Sequence, residues 1–179
     1  MQKPGATPLE NDRQEWGALK GRNNFEVTCM PQSLSSILVH LVFSTKNREP
    51  YITPEIESEL HAYLAAVFRE CHSPALTING TSNHVHALFT LSRTVTVAEV
   101  VEEVKKRSSK WAKTKGGTYR SFHWQAGYGA FSIGRSNVEA VKKYIVGQKE
   151  HHHRKTFEEE YRSFLRKYGV EYDERYVWD

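Results

Sequence analysis

His84-Val85-His86 is the segment of this chain whose residue types and spacing lead most directly to metal chemistry. In an extended strand, side chains two apart leave the same face. Both imidazoles can then converge on one ion while Val85 turns into the opposite core. A half-exposed polar strand face carries the same pattern, so the pair alone leaves both readings open. Tyr144 and Gln148 stand four residues apart, the spacing that shares one face of a helix. Gln148 offers a neutral carbonyl oxygen. With two imidazoles it makes a moderately hard site with open positions, suited to Mg2+ or Mn2+ on a phosphate rather than to structural zinc. A tyrosine beside such an ion can attack phosphorus, because the ion stabilises charge on the phosphate. A core tyrosine in the Val138, Val141, Ile145 stripe is the competing reading, and spacing does not separate the two.

The surrounding elements can be read from apolar period and punctuation. Ser36 to Thr45 is rich in β-branched and aromatic residues and predicts a buried strand. Thr53-Pro54 is a helix start, followed by Ile56, Leu60, Tyr63, Leu64, Val67 and Phe68 at helical spacing through Arg69. Ala75 to Asn79 and His84 to Leu91 flank a turn and predict a hairpin. Val97 to Lys113 predicts a second helix, stopped by Gly116 and Gly117. A short strand is expected at Ala130 to Ile133. A third helix, capped by Ser136 or Asn137, carries Tyr144, and a last one runs from Thr156 to Lys167. The order βαββαβ implies an α+β fold of the ferredoxin-like kind. Its four-stranded antiparallel sheet has helices on one face, with the tyrosine-bearing helix and a final helix added. Residues 1–32 lack a clear period and are expected to be a poorly ordered extension before one domain at 33–179.

Charge is distributed unevenly. The net charge is only +4, but Lys105 to Arg120 holds Lys105, Lys106, Arg107, Lys110, Lys113, Lys115 and Arg120 with no acid. The C-terminal part carries Glu158, Glu159, Glu160, Glu171, Asp173, Glu174 and Asp179. A basic stripe of this kind is either a polyanion-binding face or a solvated helix face. Lys46 and Arg48, beyond the first strand, could contact phosphate or end-recognition bases or be surface-loop charges. Trp124 and Tyr128 could stack on unpaired bases or equally be core and turn residues. His151 to His153 could contact phosphate but read better as histidines favoured near a helix C-terminus, with a supporting role open for His151. Cys29 and Cys71 make no disulfide framework or zinc pattern, and no apolar run is long enough to span a bilayer. The expected compartment is the cytoplasm.

Taken together, these residues resemble the HUH single-strand DNA transposases with one catalytic tyrosine, including the repeat-associated tyrosine transposases. The pattern comprises His84-Val85-His86, Tyr144 with Gln148, the run from His40 through Lys46 to Arg48, and Ser108-Ser109-Lys110-Trp111. It continues with Phe122 to Ser132 and Gln148 to His152, all in the family's order. Asn83 departs from it, since relatives are expected to carry aspartate there. The resemblance implies that Tyr144 cuts single-stranded DNA near hairpins through a 5′-phosphotyrosine. His84, His86 and Gln148 would hold Mg2+ or Mn2+. It also implies a homodimer whose sites are completed in trans, with Gly134 or its loop as the hinge. Lys105, Lys106, Lys110 and Lys113 become candidates for the DNA groove. Two other readings stand beside this one: a host-adopted HUH endonuclease that processes palindromic repeats, and a non-catalytic ferredoxin-like module that binds single strands.

Overall fold

In the computed structural model, residues 33–152, 156–175, 177 and 178 are described; the extension expected over 1–32 lies outside them. Eight residues from Ile37 to Ser44 form β1, and α1 follows over Pro54–Glu70. β2 (Ala75–Gly80) and β3 (His84–Leu91) form the hairpin, α2 spans Val97–Thr114, and β4 is Gly129–Ser132. Then come α3 (Val138–Val146), the single turn α4 (Gln148–His151) and α5 (Phe157–Lys167). All strand pairs are antiparallel, in the order β2-β3-β1-β4, so the expected ferredoxin-like βαββαβ arrangement is the one observed. Residues Leu34–Asp179 form one compact unit. No described helix is long and apolar enough to cross a membrane.

The strand alternation divides the sheet into two faces. Val39, Leu41 and Phe43 of β1 join Val85, Ala87 and Phe89 of β3 in a core closed by α1 and α2 through Leu60, Leu64, Phe68, Val100 and Val104. The intervening residues face the other way. Leu38 and Leu88 pack with Val138 and Ile145 of α3, while Val42 and Phe131 pack with Phe157, Tyr161 and Leu165 around α5. Helices thus cover both faces, which explains why β1 reads as a continuous apolar run rather than an alternating one. His84 and His86 belong to this second face, beneath the two C-terminal helices.

Two capping boxes fix helix starts. Thr96 accepts from the Glu99 amide at 3.2 Å and Glu99 accepts from the Thr96 amide at 2.7 Å; Thr156 and Glu159 repeat the exchange at the start of α5. The cap expected from Asn137 differs: it occupies the N-cap of α3 without a side-chain hydrogen bond.

Gly80 closes the hairpin that presents His84. A Cβ there would stand 2.1 Å from the His84 carbonyl oxygen and 3.0 Å from Val85 Cα, both backbone atoms. Gly80→Ala is therefore expected to cost roughly 1–3 kcal/mol, the range for overpacking. In urea unfolding the midpoint should fall with little change in slope. An unshifted midpoint would mean that the turn relaxes freely.

Candidate metal and nucleophile site

Three buried histidines lie on the second sheet face: His40 from β1, and His84 and His86 from β3. The Nε2 of His40 lies 3.0 Å from His86 Nδ1, and the two rings stack with centroids 5.2 Å apart. Burial lowers the His40 pKa to about 3, with further lowering from the charges of His86 and Lys167. His84 is likewise held well below the usual histidine range, mainly by burial. His40 and His84 are thus neutral imidazoles, the form that can ligate a metal. For His86 to present Nε2 to an ion, its Nδ1 must carry the proton and His40 must accept it. His84 is oriented in the same way, since its Nδ1 lies 2.8 Å from Asn83 Oδ1 and 2.9 Å from Thr81 Oγ1. The residue before the histidine pair is therefore more than a turn former: its side-chain oxygen sets the His84 ring.

The C-terminal helices bring the other groups onto this face. Tyr144 of α3 donates its hydroxyl to Glu160 Oε1, and the Gln148 amide donates to the same oxygen at 3.0 Å. The Gln148 carbonyl oxygen lies 3.5 Å from His84 Nε2. Tyr144 and Gln148 do not lie on one uninterrupted helix, as their spacing suggested. α3 ends at Val146, Gly147 makes the break, and Gln148 opens α4. They still share a face, because the Gly147 and His152 amides continue the i→i−4 bonds to Lys143 and Gln148 at 3.1 and 3.0 Å.

Glu160 was not legible as a site residue, and His152 was expected only as a helix-end or phosphate-contacting histidine. Glu160 Oε2 lies 3.3 Å from His86 Nε2, 3.9 Å from His84 Nε2 and 3.1 Å from His152 Nε2. Burial raises the Glu160 carboxyl to about 8. In the sequence it sits in the run Glu158-Glu159-Glu160, which resembles the usual acidic first turn of a helix. Its signal was phase: Glu160 falls within the apolar stripe of Phe157, Tyr161, Phe164 and Leu165, not on the solvent side. The role left open for His151 concerns a side chain outside those described, whereas His152 ring-packs on His84 at 4.5 Å.

The donor set tests well against a divalent ion. Ligand atoms of His84, His86, His152 and Glu160 all lie within 4.8 Å of one another. Ligands about 2.0–2.2 Å from an ion stand roughly 3–4 Å apart, close to this spacing. His40→Phe should lower Mn2+ affinity by roughly ten- to a hundredfold, as loss of outer partners of ligand histidines does. Calorimetry checks this, and unchanged affinity would release His40 from orienting His86.

The remaining expected residues differ in their surroundings. Lys46, Lys106 and Lys110 are exposed, the last two on α2. Arg48 pairs with Glu158 at 2.7 Å and lies over the Trp178 ring, and Lys113 contacts His123 at 3.0 Å. Lys105 is half-buried, its ammonium bonded to the Ala126 and Gly127 carbonyls at 2.9 and 3.0 Å. Burial lowers it to about 8, and its two carbonyl contacts tie α2 to the Gly127 loop. Tyr128 is partly exposed, as stacking would require. The stacking role expected of Trp124 is corrected: it is buried, its ring meets Phe43 and Phe122 edge-on, and its Nε1 donates to Ser108 Oγ at 2.9 Å. Two further features beside Tyr144 were not legible in the sequence. A cleft of about 380 Å³ between α3 and α5 reaches Tyr144, Glu160 and His40, and Lys167 stands on its wall.

The tyrosine that reaches these histidines belongs to the same chain: the Tyr144 and His86 ring centroids are 6.0 Å apart. Gly134, the expected hinge, has ordinary extended backbone in this chain.

Comparison with known proteins gives this geometry a family. The model of the family described as "Transposase IS200 like" matches residues 33–148. No curated protein matches the chain. Among solved structures, a candidate transposase from Deinococcus radiodurans R1 is similar with a TM-score of 0.53 at 16% identity, over 68% of this chain and 98% of that one. A REP-associated tyrosine transposase bound to a REP hairpin is similar with a TM-score of 0.52 at 15% identity, over 69% of this chain and 72% of that one. At such identities the likeness is one of fold.

Proposed function

Because the chain belongs to the family of IS200-like transposases, we propose that it cuts and rejoins single-stranded DNA near hairpins, with Tyr144 as its nucleophile. The observation that carries this reading is the meeting of Tyr144, Gln148, His84 and His86 around one buried carboxylate. The Tyr144 oxygen attacks the scissile phosphorus as its proton leaves. The phosphorus–tyrosine bond forms, the bond to the 3′ oxygen breaks, and that oxygen takes up a proton. The product is a 5′-phosphotyrosine and a free 3′-hydroxyl. Attack by another 3′-hydroxyl reverses the step and returns the proton to Tyr144, so joining needs no external energy source.

His84, His86 and Gln148 would hold Mg2+ or Mn2+. When bound, the ion supplies Lewis-acid polarisation of the scissile phosphate. His40 and Asn83 keep the two β3 imidazoles turned toward the site. Burial keeps the β3 imidazoles from bulk water, and Lys167 on the cleft wall offers positive charge to an entering phosphate. Lys46, Lys106 and Lys110 are exposed cations for the flanking backbone, and Tyr128 offers a ring to an unpaired base. One tyrosine per site makes one cut, so excision of an element by two cuts calls for a homodimer. A hairpin is the favoured DNA feature because the structurally similar REP-associated transposase is bound to one.

The reading is tested by incubating the protein with a library of hairpin-bearing single strands and Mn2+ or Mg2+, then separating products under denaturing conditions. A protein–DNA adduct with a released 3′-hydroxyl is expected. No adduct with any member, at full metal occupancy, would favour a non-catalytic binding module.

A further inference from the structure

We infer that Glu160 of α5 joins the nucleophile to the ion: its Oε2 is a metal ligand beside His84, His86 and His152, and its Oε1 holds the Tyr144 hydroxyl. This inference rests on the metal-binding reading of the β3 histidine pair and extends the site past residue 148, where the family match ends.

The two carboxylate oxygens face different sets of groups. Toward Oε2 lie three imidazole nitrogens at 3.1, 3.3 and 3.9 Å, from His152, His86 and His84. Toward Oε1 lie the Tyr144 hydroxyl and the Gln148 amide, both donors. A carboxylate that merely neutralised a histidine would not need this division. One that ligates through a single oxygen leaves the other free to accept hydrogen bonds, and Glu160 presents that arrangement to the nucleophile.

The position is also built, not incidental. Glu160 is 3% exposed, and its place on α5 is set by the Thr156–Glu159 capping box and by Phe157 and Tyr161 packed on either side. His152 comes from the turn after α4, so the two added donors bracket the 153–155 segment. Three imidazoles with one carboxylate form a softer set than two imidazoles with an amide oxygen. Such a set suits Mn2+, Co2+ or Zn2+ better than Mg2+. Glu160 then acts on Tyr144 as a positioning residue: one rigid carboxylate fixes the distance between hydroxyl and ion.

The test titrates Mn2+ alone into the full-length wild type and into Glu160→Gln, His152→Ala and His86→Ala, by calorimetry, with circular dichroism to confirm folding. Glu160→Gln keeps an oxygen that can accept from Tyr144 but removes the anionic ligand. It and His152→Ala are each expected to weaken Mn2+ binding at least about tenfold, with His86→Ala losing it. Cleavage at saturating Mn2+ by a folded Glu160→Ala, which also loses the acceptor for Tyr144, should stay below that of Glu160→Gln, a difference that a ligand role alone would not produce. If Glu160→Gln and His152→Ala bind Mn2+ within twofold of wild type while His86→Ala does not, this inference falls and the histidine pair stands. If His86→Ala also binds normally, the metal-binding reading falls and takes this inference with it.

Discussion

Tyr144→Phe is expected to form no covalent adduct with hairpin-bearing single-stranded DNA while remaining folded and able to bind Mn2+. The substitution removes one oxygen and keeps the ring, so contacts with His40, His86 and Phe164, at centroid distances of 6.3, 6.0 and 5.8 Å, survive. Phenylalanine has no atom that can bond phosphorus, so the loss should be complete rather than partial. The stability effect is separate and smaller. Glu160 Oε1 loses one donor but keeps the Gln148 amide, and Oε2 keeps His152. Leaving a buried acceptor short of one bond costs about 1–3 kcal/mol, less than the roughly 5–15 kcal/mol that holds a domain together. A denaturing gel reads the adduct, and a thermal melt confirms that the variant is folded. An adduct that persists in a folded Tyr144→Phe protein would transfer the nucleophile to another residue.

Local physics carried much of the fold. Alternation placed His84 and His86 on one strand face and Val85 in the opposite core, because both faces of β3 are covered and a slip of one residue would bury the wrong set. Periodicity located α1, α2 and α5, and the Thr53-Pro54 and Thr156 starts lie where the helices begin. The site was legible only in part. His84, His86, Tyr144 and Gln148 are close in sequence to one another in pairs, and each pair has a periodic signature. Glu160 meets His86 across 74 residues of chain, and that approach depends on how α5 packs on the sheet, which no local pattern contains. Trp124 failed for a related reason. An aromatic residue in a glycine-punctuated stretch reads as an exposed loop ring, but a bridge from Thr45 to Trp124 draws the segment onto the sheet edge and buries the indole.

His86→Ala should have the second-largest effect, with two readouts that share one cause. The Nε2 of His86 is the ring nitrogen nearest Glu160 among the β3 pair, and its imidazole is fully buried with His40 behind it. Alanine removes a donor atom that water cannot replace in the same geometry, so the ion should be lost or bound far more weakly. Lewis-acid stabilisation of a phosphoryl oxygen is worth several kcal/mol. Losing about 4 kcal/mol slows cleavage roughly a thousandfold, at 1.36 kcal/mol per tenfold. Tyr144 is still present, so a trace of adduct should remain, unlike the complete loss in Tyr144→Phe. The second readout needs no DNA. An ion that binds only the folded state stabilises it by about 2.7 kcal/mol at a hundred times its Kd. For a unit of this size that is a rise in Tm of roughly 5–11 °C, at 2–4 °C per kcal/mol. Wild type should show the rise on adding Mn2+, and His86→Ala should show little or none. A variant that kept the Tm rise but lost cleavage would place the ion elsewhere and leave His86 a role at the phosphate itself. One that kept cleavage and lost the rise would make the chemistry independent of the ion, with Tyr144 and the charge of Lys167 carrying it.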